Sequence, residues 1–128
     1  MKLLLDTHIW IWILESPDRL GANTQQELRN AENELWVSPV STWEALTLHR
    51  KKRIQLGANF LAWLAQSTPG FQQAPLTHEI VVAAEGLHLH NDPADRFLAA
   101  TAQVHDLTLV TADQRLLGLG TIRTMGNR

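Results

Sequence analysis

Short apolar runs recur along the chain between longer stretches in which apolar and polar residues mix. Residues 2–6 form an apolar run that ends in an acid, as expected for a strand buried on both faces of a parallel sheet. Residues 35–37 and 108–110 are similar, and residues 71–75 and 121–123 predict a further short strand and a final edge strand. The pattern therefore predicts a mainly parallel central sheet of about five strands.

The stretches between the apolar runs are typical of helices. Two of them begin with a capping residue followed by proline at the first helical position, Ser38-Pro39 and Asp92-Pro93. Residues 68–70 instead predict a loop. The predicted helices span residues 8–14, 21–34, 40–50, 58–66, 77–86, 93–105 and 112–117. Strands that alternate with helices in this way indicate the α/β class, with helices on both faces of the sheet.

The composition is that of one packed domain. With 128 residues, of which 45% are hydrophobic and 19% charged, we expect residues 1–128 to form a single domain. The absence of cysteine excludes disulfides, thiolate metal sites and cysteine nucleophiles. The apolar N-terminal run is too short for a signal peptide or a membrane span. We therefore expect Met1 to begin the mature domain, a cytoplasmic location and no membrane partner.

The charge of the chain argues against a nucleic-acid partner, because such proteins are usually basic and this chain has a formal net charge of -2. Two features weaken that argument. Divalent ions held by clustered acids would add positive charge where a phosphate sits. Residues 49–53 are a basic run, which is expected to form a solvated helix end, with RNA contact as the alternative.

Four acids are predicted to meet beyond the carboxyl ends of the strands, where sites form in open parallel sheets. Asp6 closes the first strand, and Asp113 lies shortly after the strand at residues 108–110. Glu44 falls one to two turns into the helix after the second strand, and Asp95 lies in the first turn of its helix. Several carboxylates at one edge suit a hard divalent cation, which would neutralise charge during hydrolysis of a phosphodiester.

Each acid also has a simpler explanation in helix capping. Aspartate is a preferred helix cap, and acids in a first turn are favoured by the helix dipole. Ser41 to Glu44 fits a capping box, although a helix capped by Ser38 would already contain Ser41 and leave Glu44 free. Taken one at a time, the acids are best explained as caps, whereas four caps at one edge would be a coincidence.

Four segments carry these acids: MKLLLDTH at residues 1–8, STWE at residues 41–44, DPADRFLAATA at residues 92–102 and LTLVTAD at residues 107–113. In order and spacing they resemble the PIN-domain family, and specifically the VapC-type toxins, small ribonucleases of bacterial and archaeal toxin–antitoxin pairs. The resemblance implies a three-layer α/β/α fold, dependence on Mg²⁺ or Mn²⁺, and endonucleolytic cleavage of RNA. It further implies a homodimer that is inhibited by a cognate antitoxin protein.

The resemblance assigns the acids to the catalytic, metal-binding quartet of the family, which here consists of Asp6, Glu44, Asp95 and Asp113. In the expected mechanism the three aspartates hold Mg²⁺, and the glutamate completes the site through the metal or through water. An activated water then attacks the phosphorus. The crowded carboxylates should raise one another's pKa until metal binds.

Four neighbouring residues are expected to support the quartet. Thr7 and Thr111 supply hydroxyls beside it. Asp92 is an additional acid, for which a helix-cap role is favoured over a direct one. Arg96 either contacts a phosphate or forms a surface pair with the adjacent Asp95, and the surface pair is favoured.

The tryptophans and histidines carry weaker signals. Trp36 and Trp43 are predicted to lie in the core. The other tryptophans are predicted either to pack in the core or to contact a partner protein; they are Trp10, Trp12 and Trp63. Four histidines are predicted to be structural, because none is paired with a nucleophile and carboxylates suffice for a hard metal; they are His8, His78, His88 and His90.

Two other functions stay open at this point. A receiver-type signalling domain also places acids and Mg²⁺ at the strand ends of a parallel sheet. It would need a second acid beside Asp6 and a lysine after a late strand, and the chain has Thr7 and residues 111–113 there instead. A catalytically inactive PIN-like interaction module would keep the fold without cleaving RNA, and the intact acids argue against it.

Overall fold

One sheet of five strands runs through the computed structural model of the protein, which describes residues 1–64, 66 and 70–128. The strands are β1 (Lys2–Leu5), β2 (Glu34–Val37), β3 (Gln72–Gln73), β4 (Thr108–Thr111) and β5 (Arg123–Gly126). Their order in the sheet is β3-β2-β1-β4-β5, and every neighbouring pair is parallel. The predicted parallel sheet is therefore confirmed.

Helices cover both faces of this sheet. Within the described residues they are α1 (Thr7–Glu15), α2 (Ala22–Arg29), α3 (Pro39–Arg50), α4 (Ala58–Leu64), α5 (His78–Glu85), α6 (Pro93–Val104) and α7 (Gln114–Leu117), with a 3₁₀ turn at Pro17–Arg19. Leu4 packs in one apolar cluster with residues of α5, α6 and α7, whereas Leu3 and Leu5 pack in a second cluster with residues of α1, α3 and α4. Alternate residues of β1 thus serve opposite faces, which gives the predicted three-layer α/β/α fold.

The start signals of the two longest helices act as predicted. The Ser38 side chain accepts a hydrogen bond from the backbone N–H of Val40, and proline occupies the first turn of α3. The Asp92 side chain caps α6 in the same way, again with proline in the first turn. Because Ser38 is the cap, Ser41 lies inside α3 and Glu44 is free of any capping box, as the sequence indicated.

Two predicted boundaries are wrong. The helix predicted for residues 21–34 ends at Arg29, because Asn30 and Asn33 bind nearby backbone instead of extending it: Asn30 Oδ1 accepts from the N–H of Glu32, and Asn33 Nδ2 donates to the carbonyl of Glu27. The last strand lies at residues 123–126, so that it pairs with β4 along its whole length. Residues 65 and 67–69, where one predicted helix end and most of the predicted loop fall, lie outside the described residues.

The strand order decides between two of the functional alternatives. In a receiver-type domain the order is 2-1-3-4-5. Here β1 lies between β2 and β4, so the sheet has a different topology and the receiver-type alternative is wrong. The chain extends the sheet to one side of β1 and then to the other, which makes the carboxyl ends of β1 and β4 the switch point where parallel sheets bind ligands.

The tryptophans divide differently from the prediction. Trp43 is 64% exposed, so its predicted place in the core is wrong. The face of α3 that turns inward carries the small buried residues Ser41 and Ala45, which bring the helix close to the sheet and leave Trp43 outside. Trp10 is completely buried in the apolar cluster that contains Leu3 and Leu5. Trp36 is partly buried against the cluster that contains Leu4.

No helix among the described residues meets the length and hydropathy needed to cross a bilayer. The longest, α3 and α6, have 12 residues each, whereas a span takes about 20.

Candidate active site

The first candidate acid, Asp6, sits where β1 turns into α1. It is 7% exposed, and its backbone N–H still pairs with the carbonyl of Val110 at 3.0 Å. Oδ1 accepts a hydrogen bond from the N–H of Thr7 at 2.7 Å, and Oδ2 accepts one from the hydroxyl of Thr111 at 2.6 Å. Burial raises the pKa of Asp6, and the hydrogen bond from Thr111 partly opposes that shift.

Thr111 connects Asp6 to the neighbouring strand end. Its hydroxyl oxygen accepts a hydrogen bond from the backbone N–H of Asp113 at 3.0 Å while its proton is given to Asp6. The Asp113 side chain in turn caps α7 by accepting from the N–H of Arg115. The ends of β1 and β4 are thereby fixed to each other by one buried side chain.

Asp95, Asp113 and His90 form the tightest group. Their ligand atoms, one from each residue, all lie within 4.8 Å of one another. Donors around an octahedral ion at about 2.1 Å lie roughly 3.0 to 4.2 Å apart, which is less than the 4.8 Å limit within which these three atoms lie. Two carboxylates and an imidazole are also donors that divalent metals accept. The group therefore fits a divalent metal.

His90 holds Asp95 in place. Its Nε2 lies 2.7 Å from Asp95 Oδ2, and its buried Nδ1 finds no hydrogen-bond partner among the described residues. The sequence analysis predicted a structural His90 and did not indicate that its ring contacts a site carboxylate.

Glu44 is the acid that α3 contributes, and its carboxylate is not part of the group formed by Asp95, Asp113 and His90. Burial is the largest cause of its raised pKa, and the negative charges of Asp6, Asp92 and Asp95 raise it further. Thr7 opposes this shift by hydrogen bonding, and its hydroxyl also lies 3.0 Å from Ser41 Oγ. Neither Asp6 nor Glu44 supplies an atom to the 4.8 Å group, but both lie near enough to Asp95 for its charge to raise the pKa of each.

The electrostatics only partly match the predicted mutual pKa elevation. Burial raises the pKa of Asp95, and repulsion from Asp92 and Asp113 adds to it, against the hydrogen bond from His90. Asp113 is the exception, because hydrogen bonds from Arg115 lower its pKa. The predicted elevation is therefore confirmed for three of the four acids, with burial rather than crowding as the main cause, and is wrong for Asp113.

The surface pair predicted between Arg96 and Asp95 is wrong, and the phosphate contact stays a prediction. The Arg96 guanidinium donates to five backbone carbonyls, at 2.7 to 3.3 Å, and these belong to Ala84, Glu85, Leu87, Leu89 and His90. The side chain therefore ties the end of α5 and the segment that carries His90 to the start of α6. It positions the loop that carries His90 and forms no ion pair with Asp95.

Asp92 and the basic run take the structural roles that were favoured. Asp92 Oδ1 accepts from the backbone N–H of Asp95 at 3.3 Å, which is a helix cap, and its charge still acts on the nearby acids. Residues 50–53 are exposed at the C-terminal end of α3, and His49 Nδ1 accepts from the N–H of Leu56. The run lies at the end of α3 opposite its cap.

Sequence reasoning did not identify two residues of this edge. His90 lies in a loop five residues before its partner, and only the loop geometry brings its ring onto the carboxylate. Arg115 follows Asp113 by two residues, so a basic residue close behind a capping acid was the only available signal.

A known protein family matches most of the chain. The profile of the PIN domain matches residues 3–120. The chain belongs to the PIN-domain family. It is 36% identical, over 116 residues, to the protein named Ribonuclease VapC22 from Mycobacterium tuberculosis, a match that covers 89% of this chain and 88% of that protein.

Solved structures show the same fold at lower sequence identity. One is VapBC2 from Rickettsia felis bound to a DNA fragment from its promoter, with a TM-score of 0.72, 16% identity and 98% of each chain covered. Another is DNA-bound VapBC from Salmonella typhimurium, with a TM-score of 0.72, 16% identity and coverage of 100% of this chain and 99% of that one. A toxin–antitoxin complex from Klebsiella pneumoniae has a TM-score of 0.68, 18% identity and 98% of each chain covered.

Proposed function

We propose that this PIN-domain protein is a metal-dependent endoribonuclease and acts as the toxin of a toxin–antitoxin pair. The observation that carries the proposal is the meeting of Asp6, Glu44, Asp95 and Asp113 at the switch point of the sheet, with His90 on one of them. The similarity to a protein named as a ribonuclease supports the choice of RNA as substrate.

The metal would be held by Asp95 and Asp113, which with His90 form the 4.8 Å group, together with Asp6 and Glu44, the other two acids of the predicted quartet. Mg²⁺ is the cation that carboxylate oxygens suit best, and Mn²⁺ can replace it. When bound, such an ion lowers the pKa of a coordinated water and neutralises charge on the phosphate.

The protein's own residues position Asp6 and accept the proton of the attacking water. The Thr111 hydroxyl and the N–H of Thr7 hold both oxygens of Asp6, so this acid needs no reorganisation when substrate arrives. Glu44, whose pKa is raised, is suited to accept the proton of the attacking water. The water oxygen then bonds to phosphorus as the bond to the leaving ribose oxygen breaks, and the leaving oxygen takes up a proton from solvent.

We further propose that residues 1–128 form a single domain and that the protein is cytoplasmic. We also propose that it acts as a homodimer and is inhibited by a cognate antitoxin. Support for the antitoxin comes from the similar solved structures, which include two VapBC complexes and the toxin–antitoxin complex from Klebsiella pneumoniae.

Cleavage of total RNA by the purified protein tests the proposal. Wild-type protein and Asp6→Asn are each incubated with Mg²⁺, Mn²⁺ or EDTA, and Asp18→Asn in the exposed 3₁₀ turn is the matched control. Asparagine can still accept the N–H of Thr7, so Asp6→Asn removes charge while keeping the cap. We expect metal-dependent cleavage by the wild type and by the control, and loss of cleavage in EDTA and in Asp6→Asn.

Two results would contradict the proposal. Equal cleavage by the wild type and Asp6→Asn would place the activity in a contaminant or at another site. No cleavage of any RNA by the wild type would favour the inactive interaction module.

A further inference from the structure

One cation already lies on the acidic edge. Arg115 reaches Asp113 with two side-chain nitrogens, Nη2 at 3.0 Å from Oδ2 and Nε at 3.3 Å from Oδ1. The same Nη2 lies 3.8 Å from Asp95 Oδ2, the oxygen that also contacts His90. Its guanidinium thus contacts two of the three residues whose ligand atoms form the 4.8 Å group.

This cation is held loosely. The Arg115 side chain is 61% exposed, and an ion pair with that much access to water contributes little to stability. Among the described residues, no lysine or other arginine forms an ion pair with an acid of the quartet. The site therefore has one tethered positive charge that can leave at small cost.

Release of the guanidinium would not disturb the carboxylate it leaves. Asp113 Oδ1 also accepts the backbone N–H of Arg115 at 2.8 Å, and this bond caps α7 regardless of where the side chain points. A guanidinium and a divalent ion on the same pair of carboxylates would repel each other. The planar fork that matches a carboxylate also matches a phosphate, which the substrate supplies beside the metal.

We propose that Arg115 is a tethered cation that occupies the acidic cluster before metal binds, and that it turns to a phosphate of the RNA strand when a divalent ion takes its place. The second half of the proposal rests on the proposed ribonuclease function. Arg115 then competes with metal in the free protein and contributes to substrate binding in the loaded protein.

The chain offers a matched control for both halves. Arg123 pairs with Asp106 at 2.9 Å, and its side chain is 62% exposed, which is nearly the exposure of the Arg115 side chain. It lies at the start of β5, at the opposite edge of the sheet from the acids. Arg123→Gln therefore removes the same charge away from the site.

Binding of Mn²⁺ alone tests the first half, with free Mn²⁺ measured by its electron paramagnetic resonance signal and with no RNA present. Arg115→Gln should bind Mn²⁺ about two- to fivefold more tightly than the wild type, the effect of removing one exposed competing charge. Arg123→Gln should match the wild type. Unchanged or weaker binding by Arg115→Gln would overturn the proposal, and circular dichroism of each variant verifies that it is folded.

Binding of a short single-stranded RNA tests the second half, in a Glu44→Gln background that slows cleavage, with Mn²⁺ present. Adding Arg115→Gln should weaken RNA binding about threefold or more and reduce the slope of log affinity against log salt by about 0.7, the value for one phosphate contact on a single strand. An unchanged affinity and slope would overturn this half. Adding Arg123→Gln is the control.

Cleavage by the wild type and Mn²⁺ binding by Arg115→Gln together distinguish a failure of the proposed ribonuclease function from a failure of the role of Arg115. Tighter Mn²⁺ binding by Arg115→Gln together with no cleavage by the wild type would overturn the endoribonuclease and support Arg115 as the competitor of metal. Cleavage by the wild type together with unchanged Mn²⁺ binding by Arg115→Gln would overturn the role of Arg115 alone.

Discussion

At the scale of single residues, the acids of this edge serve the backbone and the site at once. Asp6 and Asp113 both cap helices, and each still presents a carboxylate oxygen to a partner in or beside the cluster. Capping and metal binding were alternatives when only the sequence was considered. They are compatible in the fold because a carboxylate has two oxygens and a cap uses only one.

Asp95 should make the stability of the metal-free protein depend on pH in a defined direction. Its pKa is raised from the usual 3.8, chiefly by burial, so its contribution to stability is present below the unfolded value and is lost as pH rises through the folded value. Asp95→Asn cannot ionise and can still accept a hydrogen bond from His90. Its Tm should exceed that of the wild type by about 2–4 °C at pH 7 and by less at pH 4.5.

Thermal unfolding in EDTA measures this difference, with Asp18→Asn as the control. Addition of Mg²⁺ or Mn²⁺ at pH 7 should raise the Tm of the wild type more than that of Asp95→Asn, because binding to the folded state stabilises it. A gap between variant and wild type that widens as pH falls would contradict the assignment.

At the scale of elements, one arginine organises the back of the site. Arg96 connects the first turn of α6 to the end of α5 and to the loop that carries His90. The contact between a side chain and five carbonyls has no sequence signature, since neither spacing nor charge pattern indicates an arginine bound to backbone. The site thus depends on a residue that does not contact the reacting groups.

Replacing Arg96 should therefore destabilise the whole domain. Arg96→Ala is expected to lower the free energy of unfolding by about 2–4 kcal/mol, because several partly buried carbonyls lose a charged donor. Arg96→Lys, which lacks the fork, should fall between alanine and the wild type. Urea unfolding gives these values. Arg29→Ala, at the exposed end of α2, should change the free energy little, and an equal loss in both alanine variants would refute the role of Arg96.

Hydrophobic runs and helix caps predicted the strands, the three layers and the acidic edge, because these features depend on local pattern and on the geometry of parallel sheets. Trp43 was misplaced because a tryptophan inside a helix does not reveal which face packs. The end of α2 was missed because its asparagines act through side-chain bonds to the backbone. His90 and Arg115 needed the folded loop and helix start to be recognised.

At the scale of the whole molecule, the basic run lies at the C-terminal end of α3, beyond the one acid of the quartet that this helix carries. Arg50 follows Glu44 by six residues, which is roughly 9 Å along the helix. Charges are screened over about 8 Å at physiological salt. The basic run therefore has little direct effect on the acids, and the local positive charge for substrate must come from bound metal and from Arg115.

Removing two charges of the basic run should consequently have little effect on catalysis. Lys51→Gln combined with Lys52→Gln, both at exposed positions, should change the initial rate of RNA cleavage by less than about twofold at 0.15 M salt. The double variant and the wild type are compared at saturating Mn²⁺. A fall of about fivefold or more would mean that the RNA strand follows α3 to its C-terminal end.

The central claim is that four acids from different elements act as one metal-dependent site. The most direct test is the initial rate of RNA cleavage at saturating Mn²⁺ for Asp6→Asn, Glu44→Gln, Asp95→Asn and Asp113→Asn, with Asp18→Asn as the control. The account predicts that each of the four loses roughly 100-fold or more, while the control keeps the wild-type rate. Cleavage at near the wild-type rate by Asp95→Asn and Asp113→Asn, the closest pair in the cluster, would contradict it.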